Sequence, residues 1–468
     1  MTIWTVLSTV EAAYLPVLIV TIVLQKRSPV ATLAWILALA FVPVGGIALY
    51  FVFGPRRLRR KRLRHAKSRL LVRRQEPTPL AKRVADLPWK DQVVTLVTRA
   101  SDAPLVTCRD VLVLPSGARK FDALLEAIAA AKHHVHVEYY IFEDDQTGRR
   151  VRDALIERAN AGVKVRLLVD AVGSPLRYPF LRPLRDARIE FARFNPLMFG
   201  SLRPRINFRN HRKIVVVDGD VGFLGGINVG DEYDERVSGK LAYRDTHVRL
   251  RGTAVRELQL AFLEDWHYAT GKTLEAEKLF PPDDETEAEL VQVIASGPDQ
   301  EWEPMQKLFF AAISGAEERV EITTPYFVPD EPITAALITA AMRGVAVEIL
   351  LPQRSDSRIV SAAARSYYGE LLRAGASIWE YPRMVHAKTM VVDHKLAIVG
   401  SANMDNRSFR LNFEIGAAFY DRESITTLER VFAEDQSRAR RVTLKSRARL
   451  SFPARLAEAS ARLLSPLL

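Results

Sequence analysis

One α/β pattern, written twice, constrains the fold of this 468-residue chain more than any other feature. Val111-Leu112-Val113-Leu114 leads to Ser116-Gly117, then to a helix-spaced run through Leu124, Leu125 and Ile128, then to a strand from Val135 to Phe142. The order returns as Val291-Gln292-Val293-Ile294, Ser296-Gly297, a helix from Leu308 to Ile313, and a strand from Val320 to Phe327. Gly162-Val163-Lys164-Val165-Arg166-Leu167-Leu168 is echoed by Gly344-Val345-Ala346-Val347-Glu348-Ile349-Leu350, in each case a helix stopped by glycine and followed at once by a buried strand. The spacing predicts a duplicated α/β unit.

Each copy carries a polar constellation near its end. The first holds His211-Arg212-Lys213, then Ile214 to Val217, Asp218, six further residues and Gly225-Gly226-Ile227-Asn228. The second holds His386-Ala387-Lys388, Thr389 to Val392, Asp393, six further residues and Gly400-Ser401-Ala402-Asn403. Histidine and lysine two apart on a strand project from one face. An imidazole can attack phosphorus, and an ammonium beside it can neutralise the non-bridging oxygens as charge builds. Asn228 and Asn403 add neutral donors for the same oxygens. With two copies facing each other, one histidine attacks and the other protonates the leaving alkoxide, and symmetry alone permits either assignment. No metal is required, and no carboxylate cluster for magnesium is evident.

Asp218 and Asp393 complete the motif and are counted with the catalytic set. Their odd offset from the histidines nevertheless points to the other face of the strand and reads as more structural than chemical. A catalytic imidazole also needs an acceptor on its second nitrogen. Asp245 and Glu414, in comparable places in the two copies, are the candidates, with surface carboxylates at strand starts as the alternative. His133, His134 and His136 lie where a helix runs into a strand and lack the acidic partners of a metal site. His247, His267 and His394 have no motif around them.

The formal net charge is +12, which at first suggests nucleic acid. Eleven Lys or Arg residues lie between Arg56 and Arg74 without an acid, so the rest of the chain is nearly neutral. No nucleic-acid partner is therefore expected, and the block reads as a topology signal and an attractor for anionic lipid. Ahead of it, Ile3 to Leu24 is apolar apart from Glu11, and Ser28 to Gly54 has no charge. Either stretch can cover a bilayer core as a helix, although Glu11 and Pro16 weaken the first, which could lie in the interface instead. The basic exit places the body in the cytoplasm. A single cysteine, Cys108, suits a reducing compartment.

The expected organisation is a membrane hairpin over 1–54, a basic linker over 55–100, repeat units over 101–275 and 289–445 joined by a linker at 276–288, and an amphipathic segment over 446–468. In that last segment Leu456, Leu463 and Leu464 oppose Arg455, Glu458 and Arg462. The pattern suits a helix resting on a bilayer or one packed on the body.

The doubled motif resembles that of the phospholipase D superfamily, and along almost its full length the chain resembles bacterial cardiolipin synthases. The similar stretches include Ala34-Trp35, Pro43 to Gly54, Glu138 to Ile141, Arg209 to Lys213, Asp265-Trp266, Arg407 to Glu414 and Leu464 to Leu468. The resemblance implies two mixed-sheet α/β domains facing each other as a sandwich, behind two transmembrane helices of a bacterial inner membrane. It also implies a phosphohistidine intermediate with His211 as nucleophile and His386 as general acid, and Lys213, Lys388, Asn228 and Asn403 binding phosphate. The implied reaction moves a phosphatidyl group from one phosphatidylglycerol to another, giving cardiolipin and glycerol with no cofactor. A hydrolytic phospholipase D and, from another substrate class, a superfamily nuclease are the alternatives.

Overall fold

The computed structural model describes residues 16–24, 29–41, 68, 88–196, 207–274, 279–280 and 289–466. Most of the first apolar stretch, the turn with Lys26 and Arg27, Pro43 to Gly54, the basic block apart from Ser68 and most of the central linker lie outside these residues. The chain divides into two units, an N-terminal one and a larger one that holds every described residue from Ser68 on.

In the N-terminal unit, residues 16–23 and Pro29–Phe41 are helical. Leu18, Ile22 and Leu39 bury against one another beside Trp35, while Val17, Val20, Leu33, Leu37 and Phe41 remain exposed. Among the described residues no helix is long and apolar enough to cross a membrane.

In the larger unit the first copy contributes β1 (Val106–Cys108), β2 (Asp110–Leu114), β3 (His134–Tyr139), β4 (Lys164–Asp170) and β5 (Glu190–Phe194). It continues with β6 (Lys213–Val217), β7 (Val221–Gly225) and β8 (His247–Arg251). The second copy supplies β9 (Glu289–Ser296), β10 (Arg319–Thr323), β11 (Phe327–Val328), β12 (Ala346–Pro352) and β13 (Ser377–Tyr381). After these come β14 (Thr389–Val392), β15 (Leu396–Gly400), β16 (Met404–Asp405), β17 (Glu414–Phe419) and β18 (Arg440–Arg441).

The first sheet runs β2-β8-β7-β6-β3-β4-β5, and the second repeats that order as β9-β17-β15-β14-β10-β12-β13. In both, three parallel strands adjoin four antiparallel ones. The sheets share one apolar layer: Ile214, Val216, Leu224, Val248 and Leu250 from the first meet Val293, Val391, Val399, Ile415 and Ala417 from the second. Val215 and Val217, one residue out of phase, face the helices on the opposite side. The alternation along Ile214 to Val217 thus produces a four-layer sandwich, and each fully buried Val, Ile or Leu contributes about 1.5–3 kcal/mol.

Local signals match the repeat. Gly162 and Gly344 end equivalent helices at φ 91° and 92°. A Cβ there would touch nothing, so backbone conformation alone asks for glycine. Three boundaries differ from the sequence reading. The strands expected from Val135 to Phe142 and from Val320 to Phe327 stop at Tyr139 and Thr323. Phe142 then bridges Val229, and Phe327–Val328 pairs separately with β16, so the break is a feature of the repeat itself. The linker expected up to residue 100 ends in a helix, Pro88–Ser101, whose Val93 and Val97 enter the second copy's core. β1 likewise crosses to pair with β9.

Candidate active site

The two copies meet at a pair of parallel backbone bridges. Asn210 bridges Phe413, and Arg244 bridges Val385. The His211 N–H donates to the Phe413 carbonyl at 2.9 Å, and the His386 N–H to the Arg244 carbonyl at 2.6 Å. Each histidine therefore stands beside the residue that follows its partner in the other copy. Glu414 accepts from His211 Nδ1 at 2.9 Å, and Asp245 accepts from His386 Nδ1 at 2.7 Å. Each candidate acceptor lies against the histidine of the opposite copy.

Buried ion pairs brace these segments. Arg209 pairs with Asp170 at 3.1 Å, Arg212 with Asp265 at 2.7 Å, and Arg244 with Asp435 at 2.7 Å. Asn210 donates to Glu138 at 2.5 Å, and burial beside Asp265 pushes the Glu138 carboxyl well above its usual range. The histidine loops are thus held by groups that cannot move without stranding a buried charge.

The carboxylate bonds occupy Nδ1 on both rings and leave Nε2 for chemistry. His211 and His386 retain only 9% and 6% of their surface. Burial is the main cause that lowers both imidazoles, His386 to about 4, against the opposing pull of Glu414 and Asp245. Both rings are therefore neutral near pH 7. Burial also brings Lys213 down to about 7 and Lys388 to about 8. Lys213 Nζ donates to the His211 carbonyl at 2.7 Å, and Lys388 Nζ donates to that of His386. An anionic phosphodiester would restore the charge of both ammoniums.

Asn228 donates one amide hydrogen to Tyr233 Oη at 2.7 Å, and the other has no acceptor among the described residues. Asn403 Oδ1 is buried and has no hydrogen-bond partner among the described residues. Asp218 and Asp393 are not at the site, which corrects their place in the catalytic set. Both adopt left-handed turns, at φ 52° and 51°, at the far ends of their strands. The Asp218 carboxylate accepts from the N–H groups of Lys132, His133 and His134 at 2.8–2.9 Å. Asp393 does the same for Glu317, Glu318 and Arg319 at 2.7–2.8 Å. They tie a helix end to a strand start, and the odd offset already pointed away from the histidines.

Several residues near the chemistry escaped the sequence reading. Ser401 Oγ donates at 2.5 Å to the same Glu414 oxygen that holds His211. Its counterpart Gly226 packs on Asp245, where a Cβ would lie 2.2 Å from the carboxylate oxygen. The motif showed both as small residues, without the contact that separates them. Tyr140 sets its ring edge against His211 at 4.9 Å, and Tyr233 does so against His386 at 5.4 Å. Tyr140 lies in the stretch Glu138 to Ile141 that carries the resemblance, but without a role, and nothing local announces Tyr233. Of the blander histidines, His134 and His136 are buried against Gln259.

Two facing mixed sheets with a histidine–lysine pair from each define a duplicated phospholipase D-like protein. The fold of phosphatidylserine synthase from Haemophilus influenzae is similar, with a TM-score of 0.61 at 14% identity over 81% of this chain and all of that one. The model for the cardiolipin synthase, PLD-like domain matches residues 124–236 and 309–436, and that for the phospholipase D-nuclease N-terminal region matches 13–55. Curated cardiolipin synthases are 42% identical: that of Geobacillus kaustophilus over 95% of this chain and 90% of its own, and that of Alkalihalophilus pseudofirmus over 96% and 91%. The chain belongs to the cardiolipin synthase family of the phospholipase D superfamily.

Proposed function

We propose that this protein is a cardiolipin synthase that transfers a phosphatidyl group from one phosphatidylglycerol to another through a phosphohistidine. The crossed pairing of each imidazole with a carboxylate of the other copy carries the reading, because it presents two oriented Nε2 atoms to one phosphodiester. The curated relatives, at 42% identity over nearly the whole chain, support the same activity.

In the first half, His211 Nε2 attacks phosphorus and the bond to the glycerol headgroup breaks. The departing alkoxide takes a proton from His386 Nε2, so glycerol leaves neutral. Burial holds His386 low, and the negative charge of the arriving lipid raises it toward carrying that proton. Lys213, Lys388 and the second amide hydrogen of Asn228 face the charge on the phosphoryl oxygens. In the second half, now-neutral His386 takes the proton from a hydroxyl of a second phosphatidylglycerol. The new oxygen–phosphorus bond forms as the nitrogen–phosphorus bond breaks, and cardiolipin is released. Near-complete burial of both histidines supports transfer to an alcohol over hydrolysis, since little water reaches the intermediate. His211 takes the attacking role by family resemblance.

The apolar faces of residues 16–24 and 29–41 support a hairpin embedded in lipid, and the basic block after it supports a cytoplasmic catalytic body. The test is to incubate the purified protein with radiolabelled phosphatidylglycerol in mixed micelles without added metal. Label in cardiolipin with release of glycerol is the expected result. Label in phosphatidic acid alone makes the protein a hydrolase, and no turnover overturns the reading.

A further inference from the structure

The C-terminal helix Phe452–Arg462 packs on the body with one face only. Glu458 and Ala461 are its buried residues, and Glu458 is taken up by Arg447 at 3.1 Å. Arg462 stacks over Tyr367 at 4.3 Å and donates to Glu370 at 2.9 Å. The turn after the helix is pinned as well: Tyr367 Oη donates to Ser465 Oγ at 3.1 Å, and Asn406 Nδ2 to the Ser465 carbonyl at 3.2 Å.

The opposite face is apolar and uncovered. Phe452, Leu456 and Leu463 are 70%, 55% and 81% exposed. At 100° per residue these three fall within about 40° of one another, a continuous stripe. Leu444 and Leu464 are also exposed. From Arg438 to the last residue there are eight Lys or Arg and one acid, Glu458, which is the buried one. Lys445, Arg449 and Arg455 are exposed and have no acidic partner among the described residues.

We infer that this stripe is a second lipid contact, built into the catalytic body, which docks on an anionic bilayer surface. An apolar row in a segment rich in exposed, unpaired cations matches an acyl layer beneath negatively charged headgroups. A second copy of the chain fits poorly, because a two-fold contact on the stripe would bring two cationic rims together. The position gives the contact a use. Ser465 is bonded to Asn406, three residues beyond Asn403, so the docked helix holds the second half-site at the surface from which its lipids come. The inference rests on the lipid-transferase reading above.

The test uses the full chain with Phe452→Ser, Leu456→Ser and Leu463→Ser combined. Turnover is measured on phosphatidylglycerol vesicles and on a monodisperse short-chain phosphatidylglycerol. Expected is a loss of about tenfold in kcat/KM on vesicles, through KM, with the short-chain rate within about twofold of the parent. Equal loss on both substrates, or none on vesicles, overturns the inference. A parent protein inactive on both lipids instead sinks the transferase reading, and docking is then read directly. Cys108 is buried, so Leu456→Cys accepts an environment-sensitive fluorophore selectively. Its emission should shift to the blue in nanodiscs containing phosphatidylglycerol and not in phosphatidylcholine discs. The same shift in both discs, or one that grows with protein concentration in lipid-free detergent, overturns the anionic surface as the partner.

Discussion

The two half-sites reach one geometry by different constructions. Around His211 the second copy supplies a glutamate, and Ser401 adds a hydrogen bond to its oxygen. Around His386 the first copy supplies an aspartate, one methylene shorter, which accepts the Thr246 N–H at 2.7 Å and leaves no room for a side chain at Gly226. A long acid needs an extra donor to fix it. A short one is fixed by its own turn and by close backbone packing. Duplication has kept the imidazole–carboxylate contact and let its supports diverge.

The largest effects should come from the histidines. His211→Ala should abolish turnover and covalent labelling, a loss of about 10⁴-fold or more, whereas His386→Ala should trap some phosphoenzyme. Labelling that survives only in His211→Ala would invert the roles of the half-sites. Exchanging the small residues tests the supports. Gly226→Ser should lower kcat about 100-fold, because its Cβ displaces the carboxylate that orients His386. Ser401→Gly removes one hydrogen bond and should cost about tenfold. Equal losses would erase the distinction drawn above.

The pH profile separates the lysines. Both carry their useful charge below their depressed values, about 7 for Lys213 and about 8 for Lys388, and lose it as pH rises. The rate at low substrate, kcat/KM, should already decline below pH 7, because His386 of the free protein must first regain its proton. It should steepen as Lys213 and then Lys388 lose charge above about pH 7. The limb in kcat should lie higher, since bound phosphodiester favours the charged ammoniums. Coincident limbs would show that the lysines do not face the phosphate. The smallest effect on chemistry belongs to the motif aspartates. Asp393→Ala should cost about 3 kcal/mol and the less buried Asp218→Ala about 2 kcal/mol in denaturant titrations, each leaving three N–H groups without an acceptor. Activity per folded molecule should hardly change.

Local spacing determined much of this protein. The repeat, the histidine–lysine pairs and the oddly offset aspartates are written within a few residues of one another, where periodicity and chain stiffness decide which side chains share a face. The carboxylates Asp245 and Glu414 could be nominated by their matching positions, but not matched to a histidine. Their partners lie 141 and 203 residues away, and only the packing of two sheets across the layer of Ile214, Val216, Val391 and Val399 brings them together. The same packing decided that Pro88–Ser101 and β1 would serve the second copy, and that the C-terminal helix would bury Ala461 and leave Phe452, Leu456 and Leu463 outside. Burial is a property of the assembled layers. A sequence states which residues can be buried together, and the tertiary structure decides which of them are.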